Sequence, residues 1–140
     1  MRSLHSLVMK RSRPDIAGKH ADLPRYVRTE TGRHAFPSPA EIPSLMGDFA
    51  GWFGTAPETP DTAFTAHYRL VDIHPFNDGN GRSARLLMNA PVAVRPEDRL
   101  DYIRGLQEAQ AGRGMESFRN LLCRRLDATL DEYLIALQEV

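Results

Sequence analysis

The sequence has little of several features that would indicate other classes of protein. It has a single cysteine, Cys123, so no internal disulfide can form and a reducing compartment is permitted. Lysine and arginine together number 18, as do aspartate and glutamate, and a net charge of zero provides no basic field for nucleic acid or an acidic membrane. No apolar run approaches the length of a bilayer span, and the N-terminal segment has no signal-peptide hydrophobic region. We therefore expect a cytoplasmic protein without nucleic-acid or membrane partners.

Helical periodicity dominates what the sequence does contain. At 140 residues the chain is long enough for one compact domain, which we expect to span residues 1–140. Apolar spacing predicts helices near residues 4–8, after a cap at Ser38, over 59–73, from about 82, over 96–111 and from 117 onward. In YVRTETGRHAF (Tyr26–Phe36), β-branched and aromatic residues flank Thr31-Gly32 and predict a hairpin, preceded by a loop over residues 11–24. The predicted fold class is all-α with one small β-hairpin.

The stretch DIHPFNDGNGRSARLL (72–87) combines residues that protein cores rarely bring together. Because His74 precedes a proline, the preceding helix is predicted to end there and to present the imidazole at a helix-to-loop junction. The Gly-Asn-Gly at 79–81 can adopt positive φ, which lets successive backbone N–H groups point into one concavity. The helix that follows adds the positive end of its dipole, so the loop is predicted to hold an anion.

The charged side chains of the same stretch indicate the kind of anion. Arg82 and Arg85 are three residues apart and therefore close together on one helix surface, where they can bind phosphate. Asp78 places a carboxylate beside them, which is favourable if Mg²⁺ lies between the carboxylate and the phosphates. Together these residues predict a polyphosphate site with a metal ligand and a nearby base.

Each of these residues taken alone has an ordinary structural interpretation. Gly-Asn-Gly is usually a turn, Asp78 alone a solvated loop acid, and Arg82 with Arg85 a surface face. His67 lies one heptad before His74 and is interpreted as a buried supporting histidine, because no zinc-binding histidine or cysteine spacing accompanies it. Only the combination at this spacing favours a functional site.

That combination resembles the signature of the Fic domain family. HPFNDGNGRSAR agrees with H-P-F-x-(D/E)-G-N-G-R-x-x-R at every specified position. The segments SLHSLVM, FPSPAEIPSLMGDF, AHYRLVDIHPF, ARLLMN and DRLDYI resemble Fic segments in the family's order. The resemblance implies a Fic-type helical bundle with a β-hairpin flap, which agrees with the fold class predicted from periodicity.

The resemblance also implies an activity. Most Fic enzymes transfer AMP from ATP to a hydroxyl of a target protein, so we expect a protein adenylyltransferase that uses ATP and Mg²⁺ and modifies a Ser, Thr or Tyr. His74 would be the general base, a task that suits an imidazole because its pKa lies close to cellular pH. Asp78 would hold the Mg²⁺. The other nucleotide-binding residues that the resemblance implies are Gly79, Asn80, Gly81, Arg82 and Arg85 around the phosphates and Tyr102 and Gln110 at the adenine.

The predicted hairpin resembles the flap of Fic proteins. The edge of such a flap can bind an extended segment of the target as an additional strand. The resemblance therefore implies that the target docks on the residues at the tip, which are Thr29, Glu30, Thr31, Gly32 and Arg33. Without the motif, an ordinary solvated hairpin would be the preferred interpretation.

The sequence departs from the family in three places. An apparent deletion follows Asn89, where Pro91 stops a helix that the family continues. We expect a form without the helices that many Fic proteins carry upstream of the segment that SLHSLVM resembles. No glutamate is followed by glycine or asparagine, so the family's inhibitory motif, (S/T)-x-x-x-E-(G/N), is missing. We therefore expect silencing to come from a separate inhibitory protein or from sequence before Met1.

Two alternatives to protein adenylylation stay open at this point. One is transfer of a different group, such as UMP, phosphate or phosphocholine, although an intact Gly81 favours nucleotidyl transfer. The other is a nucleotide-binding or partner-binding Fic remnant that performs no turnover, because the shortened helix removes core area.

Overall fold

The computed structural model of the chain describes residues 1–29, 32–88 and 94–138. It contains α-helices and a two-stranded antiparallel sheet, so the predicted all-α fold class with a β-hairpin is confirmed. The chain divides into two compact units, Met1–Asn89 and Ala90–Val140. The expectation of a single domain over residues 1–140 stays a prediction. Among the described residues, no helix combines the length and the apolar character needed to cross a membrane.

The first unit is built around one central helix. Its elements are α1 (Arg2–Met9), β1 (Tyr26–Thr29), β2 (Gly32–Ala35), α2 (Ile42–Thr55), α3 (Pro60–Ile73) and α4 (Asn80–Met88). Helix α3 packs against both α2 and α4, while α1 packs against α4. The largest buried side chains of this core are Phe49, Phe64 and Phe76. Packing on α3 from two sides fixes the position of its C-terminal end, where the motif begins.

Local sequence signals explain both ends of α3. Thr59 adopts an extended conformation, and its side chain accepts a hydrogen bond from the backbone N–H of Thr62 at 3.2 Å, while Pro60 occupies the first turn. At the other end His74 has φ 51° and ψ 54°, and its N–H donates to the Leu70 carbonyl at 3.0 Å. This left-handed conformation ends the helix, and the predicted helix-to-loop junction at His74 is confirmed.

The hairpin has the strands that the sequence predicts. Tyr26 pairs with Ala35 and Thr29 with Gly32 in an antiparallel register. The N–H of Phe36 donates to the Arg25 carbonyl at 3.0 Å, which extends the ladder by one step at the open end. Of the predicted turn Thr31-Gly32, residue 31 lies outside the described residues and Gly32 is the first residue of β2. The predicted deletion after Asn89 also lies outside the described residues.

Two of the predicted helix starts are wrong. The second helix begins at Ile42 rather than directly after Ser38, although the N–H of Ser38 donates to Glu41 Oε2 at 2.9 Å, as in a capping box. Helix α4 begins at Asn80, two residues earlier than predicted, because a buried contact of the Asn80 side chain holds it there. Helix α1 buries His5 and Met9, whereas Leu7 is 72% exposed.

The second unit is a helical pair. A 3₁₀ turn (Pro96–Asp98) leads into α5 (Arg99–Gln110), and α6 (Glu116–Gln138) packs against α5. Helix α6 has 23 residues and α5 only 12, so α5 can cover about half of its partner's length. Phe118, Leu121 and Leu122 are accordingly buried, whereas Leu130, Tyr133, Leu134 and Leu137 are exposed.

Gly105 sets the separation between α5 and α6. A Cβ added there would lie 3.0 Å from the backbone N and Cα of Phe118, and a backbone cannot move as a side chain does. We expect Gly105→Ala to lower the free energy of unfolding by about 1–3 kcal/mol, measured by urea denaturation. The matched control is Gly47→Ala in α2, where a Cβ would meet nothing within 4 Å. That variant should gain about 0.5–1 kcal/mol, and a Gly105→Ala protein as stable as Gly47→Ala would contradict the expectation.

Candidate active site

His74 is held in one tautomer at the end of α3. Its Nδ1 lies 3.1 Å from the carbonyl oxygen of Val71. A carbonyl can only accept, so Nδ1 carries the proton and donates it to Val71. The other nitrogen, Nε2, is then left with its lone pair, which is the form that a general base requires.

The surroundings of His74 keep the imidazole neutral. Phe36, the residue after β2, stacks on the ring with a centroid separation of 3.8 Å and an interplanar angle of 19°. Burial lowers the pKa of His74 to about 4; the bond to Val71 opposes this, and the charge of Arg25 adds to it. The C-terminal end of α3 favours a positive charge, but burial outweighs that effect and keeps the pKa of His74 low.

The loop between α3 and α4 is held by the side chain of Asn80. Its Oδ1 accepts from the N–H of Phe76 at 2.9 Å, and its Nδ2 donates to the Phe76 carbonyl at 2.7 Å. These two bonds close the loop over four residues, and Asn80 itself is only 3% exposed. The Asn80 side chain thus shapes the loop, and the predicted phosphate contact of this residue is left to its backbone N–H.

Helix α1 supports the same loop through His5. The N–H of Gly18 donates to His5 Nδ1 at 3.0 Å, so His5 carries its proton on Nε2 and donates it to the Asp78 carbonyl at 2.9 Å. The His5 ring also stacks on Phe76 with a centroid separation of 3.7 Å. This histidine was not among the predicted site residues, and a single polar residue in a short helix gives no sequence signal of such a contact.

Of the predicted Gly-Asn-Gly loop, only Gly79 has a positive φ. Its φ is +78°, and a Cβ there would lie 2.6 Å from the sulfur of Met9 and 3.2 Å from His5 Nε2. Glycine is therefore required by both the backbone and the packing. Asn80 and Gly81 belong to the first turn of α4, which corrects the expectation that positive φ extends over residues 79–81.

The start of α4 presents the predicted anion-binding groups. The first helical bond runs from the N–H of Ser83 to the Gly79 carbonyl at 2.9 Å, so the N–H groups of residues 80–82 have no acceptor within the helix. Arg85 Nη1 lies 3.5 Å from the position that a Cβ would take on Gly81, which places its guanidinium beside this turn. Such a helix start favours negatively charged groups.

Asp78 and Arg82 lie at the exposed side of the loop. Arg82 Nη2 is 3.3 Å from Asp78 Oδ2, and the two side chains are 42% and 55% exposed. The other oxygen, Oδ1, accepts from the N–H of Gly79 at 2.5 Å. Among the described residues no group of three or more His, Cys, Asp or Glu side chains could hold a metal ion by itself. Asp78 is therefore a single exposed carboxylate beside the predicted anion site.

The remaining predicted site residues fall in two places. Thr29, Gly32 and Arg33 lie at the described tip of the hairpin, whereas Glu30 and Thr31 lie outside the described residues. Tyr102 and Gln110 lie on α5 in the second unit, and the Tyr102 ring is tilted against Phe118 at 5.8 Å. The roles of all these residues stay predictions.

Comparisons with known proteins agree with this geometry. The sequence profile of the Fic/DOC family matches residues 1–91, which include the whole motif. The chain belongs to the Fic/DOC family. Among solved structures, a Fic domain-containing signaling protein from Bacteroides thetaiotaomicron is similar at 28% identity and a TM-score of 0.79, over 94% of this chain and 60% of that one. Fic-1 from C. elegans is similar at 28% identity and a TM-score of 0.82, over 96% of this chain and 42% of that one.

Curated relatives of this Fic chain are larger proteins. It is 36% identical to a protein named protein adenylyltransferase Fic from Nematostella vectensis, over 94% of this chain and 32% of the relative. A protein of the same name from Drosophila grimshawi is 33% identical over 98% of this chain and 30% of the relative. The Fic chain thus spans about a third of the length of the curated relatives it matches.

The buried histidines of this Fic chain predict a pH dependence. The pKa values of His74 and His67 are both lowered to about 4, chiefly by burial, from 6.5. Between these values the unfolded chain binds protons that the folded chain does not, so stability should fall as pH falls from about 6.5 towards 4. We expect His74→Gln to reduce this slope by up to about 1.4 kcal/mol per pH unit, the value for one proton, in urea denaturation from about pH 7 to pH 5. An unchanged slope would contradict the burial of a neutral His74.

Proposed function

We propose that this chain transfers AMP from ATP to a Ser, Thr or Tyr hydroxyl of a target protein, with His74 as the general base. The observation that carries the proposal is the neutral His74, whose Nε2 lone pair is available in the loop that leads into the N-terminus of α4. Nε2 takes the proton of the incoming hydroxyl while the oxygen of that hydroxyl forms a bond to the α-phosphorus. The bond from the α-phosphorus to the bridging oxygen then breaks, and pyrophosphate leaves.

The start of α4 would bind the phosphates. The free N–H groups of residues 80–82 supply backbone donors, with the side chain of Arg82 beside them and that of Arg85 towards the γ-phosphate. These fixed donors stabilise charge that develops on phosphate oxygens without having to reorganise during the reaction. Phosphoryl and nucleotidyl transfers depend mainly on such positioning.

The donor set fits Mg²⁺ bound together with a nucleotide. Mg²⁺ is usually held by one or two carboxylates plus phosphate oxygens and waters, rather than by a cage of protein ligands. Asp78 supplies one exposed carboxylate beside the proposed phosphate site, which matches that pattern. When bound, Mg²⁺ would neutralise phosphate charge, and Asp78 would hold it.

The hairpin would contribute the target-docking surface. Each strand of a two-stranded sheet has one unpaired edge, so an extended target segment can add along the hairpin at the predicted docking residues 29–33. Phe36 lies directly after β2 and stacks on His74, which supports docking of the target hydroxyl near the base. The family resemblance supports Tyr102 and Gln110 as adenine contacts and residues 1–140 as one working domain.

Control by a separate inhibitory protein is part of the proposal. Among the described residues of the first unit, Arg85 has no ion-pair partner, whereas Arg13 pairs with Asp15 and Arg82 with Asp78. A carboxylate bound bidentately to Arg85 would occupy the donors needed for the γ-phosphate. An inhibitor that supplies such a carboxylate would silence the site by competition with ATP.

The general-base role predicts that His74→Ala abolishes transfer and leaves ATP binding nearly intact. The base acts on the target hydroxyl, while the phosphates contact α4, so the rate should fall by roughly 10²–10⁴-fold. Transfer is measured with α-³²P-ATP and Mg²⁺, first to the chain itself and then to a cell lysate, and binding by calorimetry. Retention of more than about a tenth of the rate would refute the base role. A wild-type chain that binds ATP but transfers no label would favour the non-catalytic alternative.

The metal role predicts that Asp78→Asn weakens ATP binding much more with Mg²⁺ than without it. Removing one carboxylate removes a metal ligand, but it also removes a repulsion from the phosphates in metal-free binding. Calorimetry with and without Mg²⁺ measures the difference. The control is Asp15→Asn, which breaks the comparable exposed pair with Arg13 outside the motif. Equal losses in the two conditions would show that Asp78 only shapes the loop.

A further inference from the structure

Arg25 links the hairpin to the loop that carries His74. It is the residue before β1, and its carbonyl accepts from the N–H of Phe36 at 3.0 Å. Its side chain reaches the loop that follows α3, where Nη1 donates to the Phe76 carbonyl at 2.8 Å and to the His74 carbonyl. Arg25 therefore contacts the backbone of His74 and also the backbone of Phe36, whose ring stacks on the imidazole.

The His74 backbone needs such a contact. With φ 51°, His74 is the one described residue other than glycine that has a positive φ. A left-handed conformation is unfavourable for a residue with a Cβ, so the surrounding structure must hold it. The two carbonyls bound by Nη1 flank Pro75, and a single charged donor between them fixes the segment from His74 to Phe76. The same charge lies at the C-terminal end of α3, where a cation is favoured.

The rest of the Arg25 guanidinium is unusual for a structural arginine. Its Nε and Nη2 are buried and have no hydrogen-bond partner among the described residues. Burial also lowers the pKa of Arg25. Leaving buried donors unpaired is unfavourable, and such groups call for an explanation beyond packing. The two bonds from Nη1 to the His74 loop set the position of the guanidinium, and this position leaves Nε and Nη2 without partners among the described residues.

The charge of Arg25 also acts on the imidazole. It opposes a second positive charge nearby and so lowers the pKa of His74, in addition to the larger effect of burial. Arg25 thus favours the neutral ring as well as the backbone conformation that orients it. A residue that only filled space would have neither effect.

We propose that Arg25 is a positioning residue that holds His74 in the orientation and tautomer needed to accept a proton. The inference rests on the proposed function of His74 as the general base. Arg25 itself touches neither the target nor the nucleotide in this proposal. It acts through the His74 and Phe76 carbonyls and through the stacked Phe36.

The test is Arg25→Met, which keeps the length and apolar stem of the side chain but removes the donors and the charge. We expect the transfer rate to fall at least about tenfold, because small displacements of a catalytic group are costly, while the Kd for ATP changes less than about twofold. We also expect a change in the ¹⁵N shifts of His74, which in the wild type should show a neutral ring protonated at Nδ1. Arg11→Met, at an exposed arginine of the loop before the hairpin, should match the wild type in all three measurements.

Unchanged rate and unchanged ¹⁵N shifts in Arg25→Met would overturn the proposal. So would a parallel loss of ATP affinity and melting temperature, which would assign Arg25 a structural role only. If the wild-type chain transferred no label, the proposed function would fail, and the ¹⁵N comparison alone would decide whether Arg25 fixes His74. The two failures are therefore distinguishable.

Arg25→Lys is the second variant, and it decides the matter if Arg25→Met does not fold. Both observed bonds come from one nitrogen, so a single ammonium can replace them without the planar fork of arginine. We expect Arg25→Lys to keep the Nδ1-protonated tautomer and to transfer at least about threefold faster than Arg25→Met, where that variant folds. A lysine variant that folds but shows the altered ¹⁵N shifts would overturn the idea that this donor sets the tautomer.

Discussion

The reciprocal pair of hydrogen bonds between the Asn80 side chain and the Phe76 backbone determines the geometry of the whole motif. It ties the first residue of α4 to the loop that leaves α3. Because His74 ends one helix and Asn80 begins the next, this contact sets the distance between the imidazole and the free N–H groups of the second helix. An amide side chain suits the task, since it can donate and accept at the same backbone residue. The catalytic proposal depends on this spacing more than on any single charged residue.

The elements around the loop all restrain it from different sides. Helix α1 contributes His5, which binds the Asp78 carbonyl and stacks on Phe76, and Met9, which leaves room only for a glycine at position 79. The hairpin contributes Arg25 and Phe36. A loop with so many long-range contacts can hold His74 in a strained conformation, which an isolated turn could not. The contacts that hold this strained conformation therefore come from several elements of the first unit.

Two features of its surroundings set the protonation of His74. Burial makes the ring neutral at physiological pH, and the bond from Nδ1 to Val71 leaves Nε2 as the acceptor. The exposed charges, Asp78 and Arg82, lie at the solvent side of the same loop, where they can meet a charged ligand. The loop thus separates a largely buried imidazole from exposed charged side chains over a few residues, which suits the proposed reaction between a neutral hydroxyl and a polyphosphate.

The sequence by itself determined the features that depend on neighbouring residues. The cap at Thr59, the proline after it, the end of α3 at the His-Pro step and the strands of the hairpin all follow from local backbone chemistry. The spacing of the motif also indicated the base and the anion-binding residues, since three-residue spacing on a helix and a helix start are local features. What only the tertiary structure decided are contacts between distant residues: the burial that lowers the pKa of His74, the support from His5, and the hydrogen bonds from Arg25. None of these could be read from one sequence, because the free energy of a side chain at these positions is set by partners many residues away.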